Sequence, residues 1–481
     1  MGSIVVSLES FMNWLFLTAC LSKSMQLPPP LMDTTPIEQA IDWASVGPEA
    51  TNILQGYVQV DTTNPNGNET RGAEYLGEIL AKEGIEYEIH ESSANRGNLI
   101  ARLPSTGEPE QGPLCMLSHI DVVTAETEKW KEDPLSGVIK EGYLWGRGTL
   151  DMKGMGVMEL MTMLLLKRQA IPLKRDVILL AVADEEIGGE GVRYLADNYW
   201  EYLNCEHVVN EGGLGLHDMM FEGQTVYPIS VAEKGSVWLK MVASGEPGHG
   251  STPRPNEAPK YLLEAIETLS GRDLEPSLSG PIDQFVVNIG GHKGGVYGLV
   301  LRNPLLRNTL VKKQMLDNPI TRAAIINTVH VTGFGGQNEP NVVPSEVYAI
   351  LDCRIQPDVE PDEFIASLEE MVSEHIRFDV ISASTGSSSP IEDPFFYALA
   401  RQAVRGEENA VAGPVVSVGY TDSNYLRPLG VKAYGFVPVA LTAEDMEGFH
   451  GHNEKLSVEN IQNGTKKLFL SVLEVSAKLT D

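Results

Sequence analysis

Residues 177–191, VILLAVADEEIGGEG, join an apolar run to three consecutive acids, Asp184, Glu185 and Glu186, and then to paired glycines. Carboxylates crowded together raise one another's proton affinity, so such a cluster needs protons or cations between its members. Glu185 and Glu186, being adjacent, point in different directions; one can bind a metal while its neighbour faces a reacting group. The alternative is an acidic, solvated turn. Other positions extend the pattern. His119 and Asp121 end the run LCMLS, and their i, i+2 spacing lets the carboxylate orient a metal-binding imidazole. A His-x-Asp pair by itself is a weak signal. Asp151 stands in GRGTLDMKG at the start of a predicted helix, where a carboxylate serves as a cap or as a ligand bridging two metals. It occupies the place of the third glycine of a dinucleotide fingerprint, which excludes a Rossmann reading. Glu211 follows the short run 207–210, and His450 and His452 lie in GFHGHNE, where one of them would complete a metal site.

These side chains must be positioned by strands buried on both faces. Runs 114–118 and 177–182 lack polar alternation and read as parallel-sheet strands. Ligands of such sheets bind beyond the carboxyl ends of the strands. Right-handed crossovers bring His119, Asp151, Glu185, Glu186 and Glu211 to one sheet edge. The carboxylates there repel unless cations separate them. Oxygen and imidazole donors suit two divalent ions, zinc first, with manganese or cobalt as alternatives.

Around this region the periodicity predicts helices over 37–60, 69–83 and 155–167, and short strands over 87–90 and 98–102, the latter at an edge. From residue 236 the order changes to strand 237–243, helix 256–269, strands 325–332 and 346–355, helix 361–374 and strand 376–382. This is the split βαβ, ferredoxin-like plan. The chain then divides into a leader or tether (1–36), a first catalytic part (37–234), an inserted lid (235–386) and a second catalytic part (387–481). Within the insert, 280–322 is locally basic and reads as a solvated loop or an oligomer contact, or as a guide for an acidic substrate. A helix over 395–404, strands over 415–418 and 431–437 and a helix over 457–478 complete the chain.

The formal charge of −30 on 481 residues argues against nucleic acid as a partner. Cys20, Cys115, Cys205 and Cys353 show no CxxC spacing and no disulfide framework, and Cys115 and Cys353 read as packed thiols. The apolar run 11–21 is too short to span a bilayer as a helix. Its LTAC end resembles a bacterial lipoprotein cleavage box at Cys20, but residues 1–10 carry Glu9 and no Lys or Arg. Location stays open between a periplasmic or membrane-tethered lipoprotein and a cytoplasmic protein.

Taken together, SHIDVV, GRGTLDMKG, DEEIGGEG, NEGG and HGHNE resemble the M20 family of dinuclear zinc metallopeptidases, relatives of aminoacylase, desuccinylase and glutamate carboxypeptidase. The wording is most similar to vacuolar-type carboxypeptidases and N-acyl amino acid hydrolases. The resemblance implies an α/β fold: an aminopeptidase-like catalytic domain with a mixed, largely parallel sheet, interrupted by a ferredoxin-like lid or dimerisation domain. It implies His119 and Glu211 on one zinc, Glu186 and His450 on the other, and Asp151 bridging. His450 is preferred to His452 because the family's His-x-x-Asn-Glu is matched by His450, Asn453 and Glu454. It further implies Asp121 behind His119, Glu185 as general base, and His249 of the lid reaching a neighbouring site to stabilise an oxyanion in a homodimer. Asn341, Arg354 and Thr421 match substrate-binding positions. The implied reaction is cleavage of an amide bond beside a free carboxylate, in a peptide or an N-acyl amino acid. Tyr420 departs from the family's Gly-Gly-Thr-Asp and is expected to narrow the acyl pocket.

Overall fold

The computed structural model describes residues 21–270, 276–278, 280–336 and 339–478. The expectation for Cys20 lies outside the described residues. After a short helix at Thr35–Ala40, which breaks the expected 37–60 helix at Ile41, the helices Trp43–Val58 (α1) and Glu69–Lys82 (α2) precede the strands Tyr87–Ser93 (β1), Arg96–Leu103 (β2) and Leu114–His119 (β3). Lys153–Arg168 (α3) then leads to Val177–Val182 (β4), and Glu190–Leu203 (α4) to His207–His217 (β5) and Thr225–Glu233 (β6). β3 and β4 are parallel, with His119 opposite Val182. Their ends therefore coincide, and whatever follows each strand is delivered to one edge.

Alternate residues of β4 enter different cores. Val177, Leu179 and Ala181 join the cluster of α1 and α3, whereas Ile178, Leu180 and Val182 join that of α4. The absence of polar alternation in this run is thus explained by a helical layer on each face. The strand over 98–102 was expected at an edge, but β2 lies between β1 and β4. Its Asn98 and Arg102 suggested exposure; Asn98 is instead buried, its amide oxygen accepting from the Ala183 N–H (2.9 Å).

Gly235–Ser244 (β7) begins a second sheet. It is followed by Ala258–Ser270 (α5), Gly280–Lys293 (α6), Gly295–Arg302 (α7), Thr328–Gly335 (β8), Glu346–Ile355 (β9), Pro361–Met371 (α8) and Ile376–Ser384 (β10). The strand order β8-β9-β7-β10, antiparallel throughout, is that of a ferredoxin-like unit. It has a core of its own, in which Leu239 and Met241 meet Leu262, Phe364 and Leu368. The chain returns through Pro394–Ala403 (α9), Ala410–Ser417 (β11), Lys432–Leu441 (β12) and Val458–Ser476 (α10). β12 lies parallel to β5, and β11 parallel to β6, in the nine-stranded main sheet. The expected mixed α/β class with a ferredoxin-like insert is the observed one.

Two expectations are corrected. The 280–322 segment is helical rather than a solvated loop, and Phe285 and Ile289 of α6 pack against Val411 of β11. Its apolar positions recur at helical spacing, but the glycines between them obscure it. Cys115 is not a free thiol: it is bonded to Cys205, 90 residues away. β3 and β5 are neighbouring strands, and Cys205 sits just before β5, so the pairing is set by sheet order and leaves no trace in sequence spacing. Cys353 is free and buried, as expected.

Candidate metal centre and active site

His119 ends β3 and is buried. Its Nδ1 lies 2.8 Å from the Asp121 carbonyl oxygen, which can only accept, so Nδ1 carries the proton and Nε2 is left to face the site. Nε2 lies 3.0 Å from Asp151 Oδ1 and 3.9 Å from Glu211 Oε1. Asp121 fixes the acidic turn beyond β4. Its Oδ1 accepts from the Glu185 N–H (3.1 Å) and its Oδ2 from the Glu186 N–H (3.2 Å) and the Asn64 amide (2.7 Å). Asp184 adopts a left-handed φ of 72° to make this turn, and a Cβ on Gly191 would overlap the Ala183 backbone.

Asp151 faces two imidazoles with its two oxygens. Oδ2 is 2.7 Å from His450 Nε2, which also lies 3.3 Å from Glu186 Oε2. No hydrogen bond or ion pair joins His452 to these carboxylates among the described residues. The turn carrying Asp151 is held from beneath by Glu454, which is wholly buried. Its carboxylate accepts from Arg147 Nη1 (2.6 Å) and from the N–H groups of Gly148 (3.0 Å), Leu150 (2.6 Å) and Asp151 (3.2 Å). Glu211 was expected just past a strand; it lies inside β5, which runs on to pair with β12 and β6.

The charges are unbalanced. Burial pushes the Glu185 carboxyl well above the usual range, with Glu211 adding to it. Burial likewise raises Glu211, with Asp151 adding to it. Hydrogen bonds to Asp151 and then Glu186 push His450 up to about 10. Burial opposes a charge on His119, but its bonds to Asp121 and Asp151 outweigh it and raise the ring well above its ordinary value. A cluster that must borrow protons in this way is one that divalent cations would relieve. The donors fit such cations. His119, Asp151 and Glu186, and separately His119, Glu185 and Glu211, offer ligand atoms within 4.8 Å of one another. Glu186 Oε1 is buried with no partner among the described residues.

Asp422 closes the motif Gly419-Tyr420-Thr421-Asp422, whose spacing alone gives it no role. It is buried, Oδ1 has no partner among the described residues, and burial pushes its carboxyl up to about 8. Its field reaches Glu185 and Glu211. Thr421 donates to Glu233 Oε1 (2.7 Å), and Arg427 pairs with the same oxygen (3.0 Å), tying this loop to the crossing into the second sheet. Tyr420 packs edge-on against Tyr425, whose hydroxyl donates to the Gly188 carbonyl (3.0 Å), beside the acidic turn.

The remaining residues stay apart within one chain. His249 is exposed, in a short ribbon where the Gly250 N–H donates to the Asn341 carbonyl (2.8 Å). That ribbon adjoins the Glu346 end of β9. Arg354, held by Asp352 (2.8 Å), lies at the other end, opposite Ser236. At the rise of an antiparallel strand the two ends are about 27 Å apart. No hydrogen bond or ion pair joins His249, Asn341 or Arg354 to the acidic cluster among the described residues.

Comparison with known proteins follows the same lines. The family model described as Peptidase family M20/M25/M40 matches residues 115–474. The chain is 28% identical over 437 residues to the N-fatty-acyl-amino acid synthase/hydrolase PM20D1 of Homo sapiens, covering 86% of each chain. It is 26% identical over 366 residues to a probable carboxypeptidase S-like 2 of Dictyostelium discoideum, covering 72% of this chain and 69% of that one. The solved M20 family metallo-carboxypeptidase Sso-CP2 of Sulfolobus solfataricus superposes with a TM-score of 0.65 at 19% identity, over 89% of this chain and 99% of that one.

Proposed function

The chain belongs to peptidase family M20/M25/M40, and from that premise we propose that it hydrolyses an amide bond beside a free carboxylate, with N-acyl amino acids as the first substrate class. The observation that carries this reading is the convergence of His119, Asp151, Glu185, Glu186, Glu211 and His450 on one edge of the sheet. Likeness to an N-fatty-acyl-amino acid hydrolase favours the acyl class. Likeness to a carboxypeptidase supports C-terminal peptide bonds as the second reading.

His119 and Glu211 would hold one divalent ion, Glu186 and His450 the other, with Asp151 between them; the donor set favours zinc. When bound, the ions polarise the scissile carbonyl and acidify water. Glu185 acts as general base, taking a proton from the attacking water and passing it to the leaving amine. Asp121 touches no reacting atom and is a positioning residue, gripping the backbone on which Glu185 and Glu186 are carried. Arg354 and Thr421 flank the crossing between the sheets and would receive the substrate carboxylate.

A panel of N-acyl amino acids and dipeptides, read by mass spectrometry with chelator and zinc readdition, tests the reading. Chelation is expected to abolish cleavage and to lower the thermal midpoint, because the carboxylates are then left to repel one another. Metal-loaded protein that cleaves no member would sink the substrate class, and chelator-resistant cleavage would sink the metal assignment.

The separation of His249 and Asn341 from Arg354 along β9 supports a homodimer in which the ribbon of one lid serves the other chain's site. His249→Ala and Glu185→Gln chains, each nearly inactive alone, are expected to regain measurable turnover when refolded together. A mixture no more active than its parts would place His249 outside the reaction.

A further inference from the structure

We propose that the helical insert of 280–325, with the hairpin tip beside it, is a docking surface for an anionic lipid bilayer. This goes beyond the amide hydrolase reading and does not depend on it.

Apolar side chains stand out from this region without cover. Val296 and Tyr297 of α7 are 77% and 60% exposed, and Leu305 and Leu310 on the following turns are 74% and 56% exposed. The tip between β5 and β6 extends the patch. Phe221 meets the Tyr297 ring edge-on at 5.6 Å, and its neighbours Met219 and Met220 are exposed. Large apolar residues gathered in this way on a charged protein mark a site of association.

The charge of the region identifies the partner. In a chain of net charge −30, residues 280–325 carry Lys293, Arg302, Arg307, Lys312, Lys313 and Arg322 against Asp283 and Asp317, and the hairpin tip adds Asp218 and Glu222, so the surface as a whole stays positive. Arg307 is taken up by Asp283. Among the described residues no carboxylate pairs with Lys293, Lys312 or Lys313, and Lys293 lies over the Phe221 ring (4.9 Å). Apolar residues flanked by lysines with no carboxylate partner among the described residues suit an interface of acyl chains beneath anionic headgroups. Screening limits the field to a Debye length of about 8 Å, so the acidic remainder of the protein does not cancel it.

A third observation comes from the segment before α1, expected to be a free tether. Residues 22–25 are instead bound along the insert. The Ser22 N–H donates to the Arg302 carbonyl (2.8 Å), Arg302 Nε returns a bond to the Ser22 carbonyl (3.0 Å), and the Met25 N–H donates to Asn288 Oδ1 (2.8 Å). The apolar run 11–21 of the sequence, FMNWLFLTACL, leads directly into this strap. Its attachment point and the exposed face belong to the same helices. One short apolar run binds a bilayer only marginally, and a second, basic contact makes the attachment stable. No helix among the described residues is long and apolar enough to cross a membrane.

The test is co-sedimentation of the full chain with phosphatidylcholine vesicles, with and without phosphatidylglycerol. Wild type is expected to pellet with the anionic vesicles, less as salt rises, and weakly with the neutral ones. Lys312→Glu/Lys313→Glu should lower the bound fraction roughly tenfold, and Tyr297→Asp/Leu305→Asp should do at least as much. Both variants should keep wild-type hydrolysis of a soluble substrate, since neither touches the acidic cluster. Equal binding of wild type and variants would assign attachment to residues 1–21 and overturn the proposal. So would the absence of pelleting, or a wild-type dimer that Tyr297→Asp/Leu305→Asp splits, since a second copy would then cover the face. The salt dependence of wild type reads the same surface without any substitution.

Discussion

Glu185→Gln is expected to lower kcat by roughly a thousandfold while the bound metal per chain stays unchanged. The expectation follows from two features of the acidic turn. Glu185 and Glu186 are adjacent, and both backbone N–H groups are held by Asp121, so the backbone stays in place when one side chain changes. Glu186 meets His450, as Asp151 does, and its Oε1 has no partner among the described residues. Glu185 instead lies among Glu211, His119 and Asp422, where burial favours its protonated form. A glutamine preserves size and polarity but cannot accept the proton, so a general base contributing roughly 10²–10⁴ in rate is lost. Kinetics on the substrate found in the panel, with metal analysis of the same sample, decide the point. Loss of metal in step with activity would make Glu185 a ligand instead of a base.

Glu454→Ala is expected to destabilise the protein by about 3–5 kcal/mol, because it leaves the Arg147 guanidinium buried without its carboxylate. The thermal midpoint should fall by roughly 3–5 °C, the unfolding entropy of a chain this long being large. Arg147 keeps its bond to the Gly451 carbonyl (2.7 Å) and its place over the Trp130 ring, but neither neutralises the charge. The same substitution frees the N–H groups of Gly148, Leu150 and Asp151. Asp151 then loses the support that aims it between His119 and His450, so metal retention should fall as well. Glu454→Gln keeps one acceptor for this turn and should be milder on both counts. An unchanged melting curve for Glu454→Ala would show that the buried pair contributes nothing net.

Most of the acidic cluster could be read in advance because its members end or follow strands whose composition is extreme. An apolar run buried on both faces, such as 177–182, has few other structures open to it. The parallel register of β3 with β4 then carries His119 and the acidic turn to one place. The supports of the cluster were harder to read. Asn64 lies before Pro65 in a plain polar stretch, Glu233 ends an apolar strand, and Asp422 sits in a loop. Each is a common residue whose importance comes from burial, and burial is a property of the neighbours.

Periodicity and motif spacing are local and survive without coordinates, and they were enough for the α/β class, the chain order of the lid elements and the residue types of the candidate centre. Coordinates were needed to see that Cys115 meets Cys205, that 280–322 is a helical surface, that the strap at 22–25 lies against it, and that His249 and Arg354 stand towards opposite ends of β9. The physical reason is common to all four. Each is a relation between segments far apart in the chain, set by which surfaces remain to be buried once the strands have paired.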